Sequence, residues 1–223
     1  MTKTMEIKYL GHSCFLINTK TATLVIDPFE EKAVGFPMPK VSADIVLVTH
    51  QHPDHNNVEA VGGLPTQAGT PFLISGPGEY EVKDVKIDGL PSYHDSENGK
   101  QRGKNTVYQI RAEGMSLLHC GDLGHPLSDK QLEYIGNVDI LLVPVGGTYT
   151  MGPEEAGSLV SQIEPKIIIP MHYKTHKHDK KSDVLLPLSD FLKVIGGTVQ
   201  EEKSLKIKRE NLPLETEVIV LGG

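Results

Sequence analysis

Residues 44–57, DIVLVTHQHPDHNN, place His50, His52, Asp54 and His55 directly behind an apolar run. Imidazole and carboxylate groups at the end of a buried strand are costly unless something satisfies them: solvent, one another, or a metal ion. On an extended segment His50 and His52 project to the same side, and Pro53 enforces a turn that brings Asp54 and His55 round. Groups converging in this way form a natural donor set for zinc and for neighbouring divalent ions such as manganese, iron or nickel. A lone His-x-His says little. The full His-x-His-x-Asp-His at the end of a Val/Leu/Ile strand says much more.

The elements that must carry these groups are read from pattern. A chain of 223 residues, 38% hydrophobic and without tryptophan, suits one aliphatic core of α/β or layered β type. In the first half the short runs MEIKYL, CFLI, TLVID, DIVLVT, PFLIS, EYEV and VKI, bounded by Gly, Pro and Asp, predict strands. From about residue 128 helix-like and strand-like segments alternate: SDKQLEYIG, VDILLVPV, GPEEAGSLVSQIE and KIIIPMH. SDVLLPLSDFLKVIGG predicts a helix opened by a Ser or Asp cap and stopped by the Gly pair, and LPLETEVIVL a final strand. No linker or low-complexity segment divides the halves, so one domain over residues 1–223 is expected. A β-rich half followed by a mixed half fits a layered αββα sandwich, although composition alone does not choose it over another α/β layout.

With GHSCFLI near the start and PMHYKT around His172, the His-x-His-x-Asp-His run resembles the signature of the metallo-β-lactamase superfamily, over most of the chain. More narrowly, the chain is similar to small stand-alone metal-dependent hydrolases related to L-ascorbate-6-phosphate lactonase. The resemblance implies a four-layer αββα sandwich and further ligands downstream, and GLPSYHDS, LLHCGDLG and IIIPMHYK supply His94, Asp122 and His172, each where an apolar strand runs out. It implies one metal held by His50, His52 and His94, a second by Asp54, His55 and His172, and Asp122 as the bridge. Two divalent cations about 3.5–4 Å apart share a water, lower its pKa and present hydroxide as nucleophile. Zinc stands first as cofactor, with manganese, nickel or iron as alternatives. The competing account is a structural histidine cluster, or a metal retained for folding. Many superfamily members read Gly-Asp-Thr where this chain has Gly121-Asp122-Leu123; His125 either replaces the missing polar group or opens the loop before Pro126.

A second set of residues carries two readings each. His12 is a proton shuttle or substrate contact, or a histidine that ties a turn. Asp27 either orients a ligand imidazole or caps the strand before Pro28. In VPVGGTYTMGPEEA, Gly146 and Gly147 permit close approach or positive φ, Thr150 can cap, Pro153 fits the first helical turn, and Glu154 and Glu155 complement the dipole. From the same loop Tyr149 can donate to a developing oxyanion, which puts it with Asp54, Asp122 and His12 among the catalytic candidates. Lys100, Arg102 and Lys104 form either an anion-binding patch or a solvated hairpin tip. His176, His178 and nearby lysines read as a surface loop, or as a phosphate-recognising one if it folds over the rim, and His119 as packing.

The leading functional expectation is a metal-dependent hydrolase acting on a small, anionic ester, lactone or phosphodiester. A nuclease-like phosphodiesterase and a metal-stabilised scaffold without turnover are the alternatives. Net charge −7 gives no general attraction to nucleic acid. Cys14 and Cys120 read as reduced core thiols. The N-terminus lacks a long apolar signal core and no run reaches membrane length, so a cytoplasmic location without a membrane partner is the default. The resemblance also allows a homo-oligomer.

Overall fold

The computed structural model describes residues 4–64, 69–178 and 184–222. The first half runs through β1 (Met5–Gly11), β2 (Cys14–Asn18), β3 (Thr23–Ile26), the short helix α1 (Glu31–Val34), β4 (Val41–Ala43), β5 (Ile45–Leu47), β6 (Val61–Gly63) and β7 (Phe72–Ile74). There follow β8 (Gly78–Val82), β9 (Val85–Tyr93), β10 (Lys104–Ala112), β11 (Met115–His119), α2 (Asp129–Ile135) and β12 (Ile140–Pro144). The chain ends with α3 (Pro153–Ile163), β13 (Ile167–Met171), α4 (Leu188–Ile195), β14 (Val199–Glu202), β15 (Leu205–Ile207) and β16 (Glu217–Leu221).

Among the described residues, six strands form one sheet in the order β15-β1-β2-β3-β5-β7 and eight form the other, β14-β16-β13-β12-β11-β10-β9-β8. The strands β12 and β13 are buried along their whole length, as ILLVP and IIIPM must be in parallel strands covered on both faces. Strands β2, β3 and β5 divide their side chains by the two-residue period. Phe15, Ile17, Leu24, Ile26, Ile45 and Leu47 join the core between the sheets, whereas Cys14, Val25, Val46 and Val48 point to the outer face of the first sheet.

The outer layers differ from each other. Helices α3 and α4 cover the second sheet with Ala156, Leu159, Val160 and Phe191, and meet so closely that a Cβ on Gly157 would lie 2.8 Å from Val194. The first sheet is covered by α1, the two-stranded β4–β6 ribbon, Phe29, Phe36 and Met38. The expected layered αββα sandwich is present, with one outer layer reduced to a single helical turn and a ribbon.

Some local expectations change. Helix α4 begins at Leu188 with Pro187 at its N-cap and no side-chain cap; Ser189 and Asp190 lie inside its first turn, and Ser182 and Asp183 fall outside the described residues. Helix α3 is capped by Glu155 reaching back to the Gly152 N–H (2.7 Å) rather than by Thr150, whose hydroxyl turns to the Met151 carbonyl. Strands β4, β6, β10, β14 and β15 escaped the pattern: β4 and β6 are three-residue pieces of the ribbon, β14 is an exposed polar edge, and β15 is a late segment that returns to pair with β1. No described helix is long and apolar enough to cross a membrane.

Candidate metal centre

Strands β3 and β5 run parallel in one sheet, and β9, β11, β12 and β13 share a direction in the other, so their carboxyl ends reach one rim. His94, Asp122 and His172 follow β9, β11 and β13 there, and the His50–His55 turn follows β5. Irregular backbone outside the carboxyl ends of parallel strands is where such folds place ligands. The turn itself closes with the His55 N–H on the His52 carbonyl (2.9 Å) and is anchored by Glu30 N–H donating to the Pro53 carbonyl (2.9 Å).

Asp122 is the meeting point. Its Oδ2 lies 3.1 Å from His94 Nε2, 3.3 Å from His55 Nε2, 3.3 Å from His172 Nε2 and 3.9 Å from His50 Nε2. Donor atoms of His50, His52 and His94 lie within 4.8 Å of one another, as do those of His50, His55 and Asp122. A third such group holds Asp54, His55 and His172 together with His12. All seven side chains expected as ligands therefore come together, and His12 is drawn in beside them through a 3.3 Å contact between its Nε2 and Asp54 Oδ2.

The surrounding backbone holds these groups by close approach. His12 and His172 both adopt positive φ (56° and 53°), conformations that survive only when neighbours impose them. The His12 carbonyl accepts from the His172 N–H and from the Tyr9 hydroxyl, each at 2.8 Å. Gly146 passes so near His172 that a Cβ would fall 2.0 Å from its carbonyl oxygen, and Gly121, at φ 56°, would place one 2.4 Å from Asn105 Oδ1. Asn105 is a supporting residue that the sequence did not flag. It takes the Asp122 N–H on Oδ1 (3.1 Å) and donates to Ser92 Oγ (2.8 Å) and the Cys120 carbonyl (2.9 Å).

Asp27 ends β3 as expected, and its buried carboxylate serves two neighbours. It accepts from Thr49 N–H (2.8 Å) and Thr49 Oγ1 (2.7 Å), and Oδ2 lies 2.9 Å from His55 Nδ1, so the Nδ1–H tautomer leaves Nε2 facing Asp122. Burial pushes the Asp27 carboxyl up, but His55 outweighs it and holds it below the ordinary value. For His55 burial favours the neutral ring, yet Asp122 and Asp27 on either side raise its pKa well above the usual histidine range. Burial, with His55 adding to it, depresses His50 to about 3; burial and His172 depress His12 to about 4. Asp122 is held well below the carboxylate range by His172 and His55 against its burial.

The donor set fits divalent metals. His50 Nε2, His55 Nε2 and Asp122 Oδ1 are buried side-chain atoms without a hydrogen-bond partner among the described residues, and all three belong to the converging group. Buried polar atoms of that kind call for a partner, and an ion held between them would supply it. A set of imidazoles and carboxylates without thiolate suits zinc, manganese, iron or nickel, and Cys14 and Cys120 belong to none of the three donor groups.

Other candidates are placed elsewhere. His125 accepts the Tyr93 N–H on Nε2 (3.1 Å) and turns Nδ1 to the Pro126 carbonyl (2.7 Å); it ties the loop and supplies nothing to the cluster, while Leu123 is buried in the core. His119 does more than pack: its Nε2 reaches the Ser13 carbonyl (3.0 Å) and its Nδ1 accepts the Gly121 N–H (3.1 Å), linking the two sheets beneath Asp122. His178 packs against Phe36 and His12, so this end of the loop lies along the rim, whereas His176 is exposed and Lys180 and Lys181 fall outside the described residues. Tyr149 is 39% exposed, with Arg102 over its ring.

The profile of the Beta-lactamase superfamily domain matches residues 6–172, and the chain belongs to the metallo-β-lactamase superfamily. A UPF0173 metal-dependent hydrolase of Pyrococcus abyssi is 31% identical over 194 residues, covering 77% of this chain and 85% of the relative. One from Methanopyrus kandleri is 30% identical, covering 97% and 96%. A Thermotoga maritima crystal structure, described as a candidate Zn-dependent hydrolase of the same superfamily, superposes with a TM-score of 0.78 at 39% identity, covering 97% of this chain and 98% of that one.

Proposed function

We propose that the protein is a metal-dependent hydrolase that cleaves a small, anionic ester, lactone or phosphodiester. The reading rests on one observation above the others: a single buried carboxylate oxygen, Asp122 Oδ2, lies among four imidazole Nε2 atoms drawn from both sheets. Structural zinc sites close around four saturating ligands, whereas seven donors for two ions leave positions open. His50, His52 and His94 would hold one ion, Asp54, His55 and His172 the other, and Asp122 both. Zinc is the first choice and manganese, nickel or iron the alternatives.

When bound, such a pair acidifies water and polarises a carbonyl or phosphoryl oxygen. The chain's own residues do the rest. Asp122 fixes the spacing between the two donor groups, and Asp27 orients His55. His12, neutral through burial, touches Asp54 from the rim and would serve there as a proton shuttle or substrate contact. Tyr149 stands on the neighbouring loop with its phenol available to a developing oxyanion.

Elemental analysis of the purified protein, paired with an activity screen over lactones, phosphodiesters and carboxylic esters, tests the reading. Two divalent ions per chain are expected, with hydrolysis in one class that Asp122→Ala and His50→Ala each abolish while far-UV circular dichroism is maintained. Wild-type turnover by Asp122→Ala would rule the mechanism out, and collapse of the fold on chelation would favour a structural metal instead.

A further inference from the structure

Two loops flank Asp122, and one side-chain contact joins them. The first, residues 94–103, is wound around Asp95, whose buried carboxylate accepts backbone N–H bonds from Glu97 (2.8 Å), Gly99 (2.8 Å), Gln101 (3.0 Å) and Arg102 (2.8 Å). The second, residues 146–152, turns at positive φ through Gly147 and Thr148 after passing His172. The segment behind Asp122 is bonded to both sides, with Met151 N–H on the Leu123 carbonyl (3.1 Å) and Gly124 N–H on the Tyr93 carbonyl (3.0 Å). Where the loops face each other, the guanidinium carbon of Arg102 sits 4.4 Å from the centre of the Tyr149 ring.

That placement is unusual among the chain's three arginines. Arg111 is paired with Asp88, and Arg209 with the Gly114 carbonyl. Arg102 makes no ion pair with a described carboxylate, because the nearby Asp95 carboxylate is taken up by four backbone N–H groups. A guanidinium held over an aromatic ring has its rotamer already ordered and keeps N–H donors for a planar or tetrahedral oxyanion. Lys100 and Lys104, the other cations of the patch, are exposed and have no such seat.

Resting on the hydrolase reading above, we propose that Arg102, seated on Tyr149, grips a carboxylate or phosphate group of the substrate remote from the scissile bond. It thereby selects anionic substrates over neutral ones of the same size. Arg102 is the specificity determinant, Tyr149 its platform, and Asp95 the residue that positions both the loop and the arginine.

Two matched esters test this on the zinc-loaded protein: neutral p-nitrophenyl hexanoate, and the mono-p-nitrophenyl ester of adipic acid, which adds one carboxylate to a chain of the same length. Calorimetric titration of adipate gives a readout independent of turnover. In Arg102→Ala the anionic-to-neutral ratio of kcat/KM falls about tenfold or more, and adipate binding weakens in parallel. Arg102→Lys, with charge but no fork, recovers part of the ratio, and Tyr149→Phe, which keeps the ring face, preserves it. Arg102→Gln replaces Arg102→Ala if the truncated loop fails to fold. A ratio and an adipate affinity both within about twofold of wild type in Arg102→Ala, or in Arg102→Gln where it replaces it, overturn the proposal while leaving the hydrolase reading standing. If the wild type hydrolyses neither ester, only the carboxylic-ester arm of the hydrolase reading falls and the adipate titration alone decides: binding lost in Arg102→Ala supports the proposal, and no binding by the wild type overturns it.

Discussion

Asp27→Asn perturbs the cluster without replacing any of the seven proposed ligands. The carboxylate now takes the Thr49 N–H on one oxygen, and Thr49 Oγ1 and the His55 Nδ1–H on the other. An asparagine of the same shape keeps one oxygen for Thr49 N–H and turns an NH2 toward His55. The imidazole must then accept on Nδ1, which moves its proton to Nε2, the atom that faces Asp122 at 3.3 Å and that a metal would need bare. A charged hydrogen bond of this kind contributes about 1.5–3 kcal/mol, and loss of such an outer partner typically weakens metal binding about 10–100-fold. That range corresponds to about 1.4–2.7 kcal/mol. Competition against a chromophoric chelator measures the affinity directly, and melting curves with and without zinc measure it by linkage. The zinc-induced rise in Tm should shrink by about 3–10 °C for a chain of this size. Zinc affinity within about twofold of wild type, with an unchanged zinc-induced rise, would refute the orienting role and leave Asp27 as a cap on β3.

Further outcomes follow from other contacts. Gly146→Ala places a methyl 2.0 Å from the His172 carbonyl, so denaturant titration should show a loss of about 3 kcal/mol or more, together with weaker metal binding; a stability within about 0.5 kcal/mol of wild type contradicts the packing described. Four backbone N–H bonds, opposed by burial, depress the Asp95 carboxyl to about 2. A depressed carboxyl contributes stability above its unfolded value and loses it as pH falls through the folded one. The melting difference between wild type and Asp95→Asn should therefore be full above about pH 4 and fade toward pH 2; a difference independent of pH would count against the charge. Burial pushes both the Cys14 and Cys120 thiols up, so neither should react with a disulfide reagent at pH 8 until the protein unfolds, and labelling of the native protein at the rate of the denatured control would contradict the fold.

How much of this was legible in the sequence depended on whether the cause was local. Strands β1, β2, β3 and β5 could be read because their apolar side chains alternate or run together between turn residues, and α2 because Ser128 and Gln131 form a capping box within four positions. Strand β15 could not, since LKI becomes a strand by pairing with β1, about two hundred residues earlier. Asn105 and Thr49 carried no signal of their own, being ordinary polar residues in or beside strands until Asp122 and Asp27 arrive next to them. The Leu123 and His125 departure was visible, but its meaning was not: the leucine is core and the histidine a backbone tie.

What the sequence by itself determined is the chemistry on offer: imidazoles and carboxylates placed where apolar runs stop, because strand periodicity and the turn at Pro53 are local properties. Only the tertiary structure decided which of them share a volume. It brought His94, Asp122 and His172 onto the rim beside the His50–His55 turn, seated Arg102 on Tyr149 and set Asp27 behind His55, because those meetings depend on the pairing order and packing of two sheets, which no short window of sequence encodes.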